Sequence, residues 1–289
     1  MPNLKDIRNR IGAVKNTQKI TSAMKLVAAA KLRRAQEAVQ AARPYANKMS
    51  QVITELASKV EADSHPLLKV PEREDRILIL LITSDRGLCG GFNNNLMRAL
   101  ARFVRDKREV TESIQMITVG RKGNQFFGRT AMDIVENYPG LISDVTFAGA
   151  KRVAQNIMQR FTSGEVDAVY MVYNEFVSAI QVNQQFRQIL PMHAPEADEE
   201  AGAVEYIYEP DEQSLLDQLL PSSVEVEVFQ ALLESVAAEQ GSRMTAMETA
   251  TNNASDLISK LTLQYNRARQ AYITNELMEI VSGAESLKG

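Results

Sequence analysis

A stretch in which apolar residues recur alternately every three and four positions forms a long helix packed along another helix. This chain opens on such a stretch. The seam starts with Leu4, Ile7, Ile11 and Val14 and resumes with Ala28, Leu32, Ala35 and Val39, keeping its phase to Val60. Only Gln18, Thr21 and Lys25 interrupt it. Over that interval Ile20, Met24 and Val27 form an apolar stripe displaced from the seam, which predicts a second contact there, with something other than the first partner helix.

The C-terminal part carries a matching seam after Pro221, a residue expected in the first turn of a helix or at a break just before it. Met247, Ala250, Ala254, Leu257, Leu261, Gln264, Ala268, Ala271, Asn275 and Met278 mark it, and its many alanines predict closely spaced helix axes. At 1.5 Å per residue each helix runs on the order of 80 to 100 Å, several times the diameter of a small domain. The middle of the chain cannot bury them, so they must pack on each other and on a partner. Both join the middle segment at their inner ends, so the pair is expected to be antiparallel. The apolar last turns, through Leu277, Met278, Ile280, Val281 and Leu287, call for an apolar socket.

Between the helices, strand and helix patterns alternate: RILILLIT, a helix over 93–107, IQMITVG, a short helix near 121–129, a helix over 148–162, then DAVYMVYNEF and AIQVNQQFRQIL. That order predicts a small, mostly parallel open sheet with Rossmann-like winding. The expected class is therefore α/β, a long antiparallel coiled coil of N- and C-terminal helices plus a Rossmann-like middle domain. Its segments are 1–60, the first coiled-coil helix; 74–192, the α/β domain; 193–211, an acidic loop and foot; and 212–289, the second helix.

The loop after the first strand, SDRGLCGGFNNNL at 84–96, sits where a phosphate-binding turn would sit. Its glycines, Gly87, Gly90 and Gly91, match neither the dinucleotide fingerprint nor the P-loop, so a structural turn is the favoured reading and nucleotide binding the alternative. Catalytic equipment is sparse. His65 and His193 are the only histidines and Cys89 the only cysteine, so no internal disulfide and no zinc-ligand spacing exist. The start, MPNLKDIRNR, is too charged for a signal peptide, and no apolar run is long enough to span a bilayer. The expectation is a cytoplasm-like location, with any membrane association made through partners.

Charge is unevenly spread although the net value is only −3. Residues 1–48 hold eleven Lys and Arg against Asp6 and Glu37, whereas 193–239 hold no Lys or Arg. A nucleic-acid reader would set its basic block outside the zipper and use aromatic side chains, and neither is seen. A merely solvated coiled coil would mix its signs. A shaft inside a carboxylate-presenting partner fits best.

Four stretches now acquire a common meaning. LKDIRNRIGAVKNTQKITSAMKLVAAAKLRRA at 4–35, SDRGLCGGFNNNL, YIYEPD at 206–211 and ARQAYITNELMEIVSGAES at 268–286 together resemble the gamma subunits of F-type ATP synthases, the central rotor shafts of those complexes. The resemblance implies a coiled coil inside a ring of alternating alpha and beta subunits, with the α/β domain below it towards the membrane ring of c subunits and the epsilon subunit. It implies no active site, metal or cofactor in this chain, no nucleic-acid partner, and an indirect, peripheral place at the cytoplasmic face of a bacterial membrane. Residue by residue it implies rotor-to-stator contacts at Met24, Lys25, Arg269, Gln270, Thr274 and Glu276, and a loop facing a beta subunit at Arg86 and Cys89. It also implies a foot against the membrane ring and epsilon at Tyr206, Tyr208 and Glu209.

Overall fold

The computed structural model describes residues 4–57, 65–192 and 212–286. In chain order the elements are α1 (Leu4–Ala57), β1 (Arg76–Ile82), α2 (Phe92–Lys107), β2 (Ser113–Val119), α3 (Arg121–Phe127), β3 (Asp133–Tyr138), α4 (Phe147–Thr162), β4 (Ala168–Phe176), β5 (Val182–Leu190) and α5 (Glu212–Ser286). They form two compact units, one of Met1–Ala28 with Met244–Gly289 and the other of Ala29–Arg243.

The larger unit is built on a sheet of order β3-β2-β1-β4-β5. The first four strands are parallel, and β5 returns antiparallel to β4. A parallel sheet needs helices on both faces, so its central strand must be apolar on both sides. From Ile77 to Ile82 every residue of β1 is buried. The two-residue period then divides these side chains. Ile77, Ile79 and Leu81 pack with Leu96, Leu100 and Val104 of α2 and Phe127 of α3. Leu78, Leu80 and Ile82 face Val153 and Ile157 of α4, Leu220, Val224 and Leu232 of α5, and Met49 and Ile53 of α1.

Two features depart from the sequence expectation. The strand β3 carries no strand signal in the sequence, because DIVENY pairs on one side only, sits at the sheet edge and buries no residue fully. Pro221 lies well inside α5 instead of opening it. An interior proline costs about 3 kcal/mol. Leu216, Leu220 and Val224 around it are buried in the core against the sheet, which offsets that cost.

In the smaller unit the starts of α1 and the later part of α5 run antiparallel. Thr251 donates to Thr21 Oγ at 2.8 Å, and Lys25 meets Glu248 at 2.5 Å, so advancing along one helix means retreating along the other. Every described N-terminal seam position from Leu4 to Ile53 is buried or half-buried, including the polar ones. The C-terminal seam shifts phase. Met247, Ala254 and Leu261 face inward, but Ile258 and Tyr265 take the places expected of Leu257 and Gln264, which are exposed. An ideal helix drifts against a strict heptad, which brings the next residue inward at these two steps.

Candidate functional site

The polar interruption of the N-terminal seam is matched across the helix pair. Thr21 is buried, and its hydroxyl has a hydroxyl opposite it; Thr251 is held by its own helix through Met247 O at 2.7 Å. Lys25 is half-buried against Glu248 and has an internal partner. Met24 is half-buried, while Ile20 and Val27 are 60% and 57% exposed. The displaced stripe is therefore an outward apolar face with no partner among the described residues of this helix pair.

Carried onward in the same antiparallel register, Leu4 falls opposite Ala268. Beyond that point, from Arg269 to Ala284, every residue of α5 is exposed. Tyr272, Ile273, Leu277, Met278, Ile280 and Val281 are all exposed large apolar side chains there. Helical segments this apolar do not remain bare in water, because each buried side chain of that size is worth about 1.5 to 3 kcal/mol. Arg269, Gln270, Thr274 and Glu276 share this exposed stretch, and Thr274 Oγ donates to Gln270 O at 2.9 Å.

In the larger unit, the loop of residues 83–91 lies at the C-terminal edge of β1. Ligands of open α/β sheets bind beside such a loop, where strand order reverses between β1 and β4. Here the chain itself fills the crevice. Cys89, Phe92 and Ala238 of α5 form a buried cluster there, flanked by Phe176 and Val182. Asn174 donates to Phe92 O at 3.1 Å, and Ser84 N donates to Asn93 Oδ1 at 3.0 Å. Asp85 takes the role a ligand anion would have. Its carboxylate accepts from Arg121 N and Gly140 N at 3.1 Å each and from Ser143 Oγ at 2.9 Å, tying the loops after β1, β2 and β3 together. Gly120, at φ 87°, is needed for this arrangement: a Cβ there would lie 2.1 Å from Thr83 O.

Cys89 points into this cluster and is 2% exposed, and burial pushes its thiol up despite the nearby Arg243. The outward side of the loop consists of Arg86, Gly87 and Leu88. Sequence reasoning did not find Arg243, which donates to Gly87 O at 3.0 Å and pairs with Glu239 at 2.6 Å. It also missed Asp85, although the residue stood inside a quoted motif; its role depends on loops that only the sheet brings together. Tyr206, Tyr208, Glu209 and His193 lie outside the described residues. His65 accepts from Leu67 N at 3.1 Å in a turn, and burial lowers its pKa. Among the described residues no cluster of three or more His, Cys, Asp or Glu is placed to hold a metal ion, and no helix is long and apolar enough to cross a membrane.

On its buried side, α5 carries a row of glutamates. Glu225 pairs with Lys151 at 3.3 Å, Glu227 with Arg187 at 3.3 Å, and Glu239 with Arg243. Among the described residues Glu234 has no cation in ion-pair range, and its Oε2 is buried without a partner. Burial, then the charge of Glu175, raises its pKa; the Gln230 amide, Arg43 and Arg187 act in the other direction.

An antiparallel helix pair in one unit and a mostly parallel open sheet in the other define the class of fold. The family described as ATP synthase matches residues 3–287. The chain is 50% identical to the ATP synthase gamma chain of Geobacter metallireducens and 45% identical to that of Chlorobaculum parvum, over the full length of this chain and of each relative. A central stalk chain from the Tetrahymena thermophila mitochondrial ATP synthase superposes with a TM-score of 0.61 at 26% identity, covering 80% of this chain and 99% of that one. A chain of the Euglena gracilis mitochondrial complex gives 0.65 at 19% identity over 98% and 94%, a likeness of fold. This chain belongs to the ATP synthase gamma-chain family.

Proposed function

We infer that the chain works as the central rotor stalk of an F-type ATP synthase, coupling ion flow through the membrane sector to catalysis in a surrounding alpha and beta ring. The exposed apolar run of α5 beyond Ala268 carries this reading, because it requires an apolar sleeve that the described chain does not supply. Catalysis then belongs to the ring. This chain contributes a closed crevice and an asymmetric surface, and it presents a different interaction energy to each catalytic site as it turns. Its place is peripheral, at the cytoplasmic face of the membrane, held there by the c ring and the epsilon subunit.

Met24, with its exposed neighbours Ile20 and Val27, and Lys25 form one contact region with the ring. Arg269, Gln270, Thr274 and Glu276 form another on the unaccompanied helix, where an exposed guanidinium is free to make charge-assisted bonds to carboxylates. Lys25 serves this region while holding Glu248, which fixes its position at the cost of part of its charge. Arg86 faces a beta subunit from the loop tip with Cys89 anchoring the loop beneath it, and Tyr206, Tyr208 and Glu209 meet the membrane ring.

Copurification tests the reading. A tagged chain should bring down an ATPase-active alpha and beta ring, and recovery only as a free monomer would overturn it. In that complex Arg269→Ala should lower coupled ATP synthesis severalfold with the melting temperature of the chain unchanged. Undiminished synthesis would remove Arg269 from the contact set.

A further inference from the structure

Within two turns of α5, two loops of the sheet-bearing unit touch the helix and project apolar side chains outward. Ala238 packs on Cys89 and Phe92 beneath the loop after β1, and Arg243 holds that loop by Gly87 O. At Gly241 an added Cβ would lie 3.2 Å from Ala179 Cα, so the turn joining β4 and β5 presses directly on the helix backbone. From these loops Leu88 is 65% exposed, Val177 47% and Ile180 88%. Isolated exposed apolar residues need no explanation. The two loops that carry these three rest on one stretch of one helix, and each loop is held in place.

Leu88 adopts a left-handed backbone at φ 64°, which a leucine takes only when its surroundings impose it. The clamps are the Asp85 carboxylate on one side and Arg243 on the other. The 177–180 tip is pinned by Ser178, whose hydroxyl accepts from Ile180 N at 3.3 Å and Gln181 N at 3.0 Å and whose amide donates to Gln181 O at 3.0 Å. Apolar side chains on immobilised loops lose little entropy on contact, the requirement of an interface anchor. Arg86 beside Leu88 is exposed and makes no ion pair among the described residues, so the matching surface should carry a carboxylate next to an apolar lip.

We propose that Leu88 and the 177–180 tip form a two-point apolar bearing at the Ala238 to Arg243 level of α5, and that it rides on the protein ring around the shaft. The inference rests on the rotor reading and adds a second contact, the tip of the β4–β5 hairpin, to the loop after β1. It also makes Leu88, and not the buried Cys89, the touching residue.

The single buried native thiol makes the test clean. Leu88→Cys, Ile180→Cys and, as a control at the opposite edge of the sheet, Val110→Cys at a position 71% exposed, each add one accessible thiol over the slowly reacting parent. Labelling rates with a maleimide are compared in the free chain and in the purified alpha and beta complex, with melting curves confirming the fold. The proposal expects severalfold slowing on assembly at Leu88→Cys and Ile180→Cys and none at Val110→Cys. Equal rates at either bearing position, or equal slowing at all three, would overturn it. Failure of the chains to copurify with the ring would instead strike the rotor reading, so the two outcomes are separable.

Discussion

Two parts of α5 are similarly rich in apolar side chains and have opposite fates. Residues 223–241, SVEVEVFQALLESVAAEQG, are buried almost all round, and even Glu225, Glu234 and Glu239 retain only 6% of their exposure. Residues 269–284, RQAYITNELMEIVSGA, are exposed all round. Amphipathicity does not separate them, since both are apolar on several sides. The difference lies in neighbours: the first part has β4, β5, α4 and α1 around it, and the second has outrun α1. Apolar sequence states that a helix needs a partner and leaves open whether that partner is inside or outside the chain.

The sharpest way to break this contrast is a matched pair of truncations. Leu232→Ala, at a fully buried site, should cost the free chain about 2 to 5 kcal/mol in denaturant unfolding. Ile280→Ala should change that stability by no more than about 0.5 kcal/mol while weakening recovery of the assembled complex. A large loss at Ile280 in the free chain would show that the terminal part has an internal partner after all.

A smaller effect concerns Glu234. Its raised pKa means the folded chain holds the proton more tightly than the unfolded chain. The stability from that group is therefore fully present below the ordinary glutamate range near pH 4.5 and is lost as pH rises through the folded-state value. Arg43 of α1, Glu175 and Tyr173 of β4, Arg187 of β5 and Gln230 of α5 face it and set the balance. Glu234→Gln should remove this slope and stabilise the chain at pH 7 to 8 by about 1 to 2 kcal/mol. Thermal melts of both proteins from pH 4 to 8 check the sign, and a destabilised glutamine variant at pH 8 would refute the assignment.

The smallest effects belong to the helix pair. Thr251→Val leaves the buried Thr21 hydroxyl without its cross-helix partner, an expected loss of about 1 kcal/mol. Lys25→Ala breaks a half-exposed pair with Glu248 and should cost less than about 1 kcal/mol in the free chain, less still in high salt. Urea titrations of the two variants order the contributions. A larger cost for Lys25 than for Thr251 would mean the pair is better shielded than its exposure indicates.

Much of this protein was legible in its residues. The N-terminal seam was read in correct phase through its polar step, because a repeat of three and four residues in a straight run leaves no other helix face to bury. Order and type of the middle elements were legible too, except β3, whose edge position removes the two-sided burial that makes a strand visible. In the C-terminal seam Met247, Ala254, Leu261 and Ala268 were placed on the inward face, whereas Leu257 and Gln264 were each one residue off, because the adjacent pair Leu257 and Ile258 offers two apolar faces. Of the residues proposed for contact, Arg269, Gln270, Thr274 and Glu276 lie on the exposed end of α5, whereas Cys89 is buried.

Periodicity and element order by themselves indicated a long helix pair and a small, mostly parallel sheet, and four ordered motifs resemble the family that the comparisons then showed. Those properties are local, fixed by side-chain type and spacing along one chain. Tertiary structure alone decided that Ala238 of α5 packs on Cys89 and Phe92, that Asp85 ties three loops together, that Glu248 faces Lys25, and where α5 is left bare. Each is a meeting of residues far apart in sequence, and the register and close packing that bring them together are properties of the assembled fold.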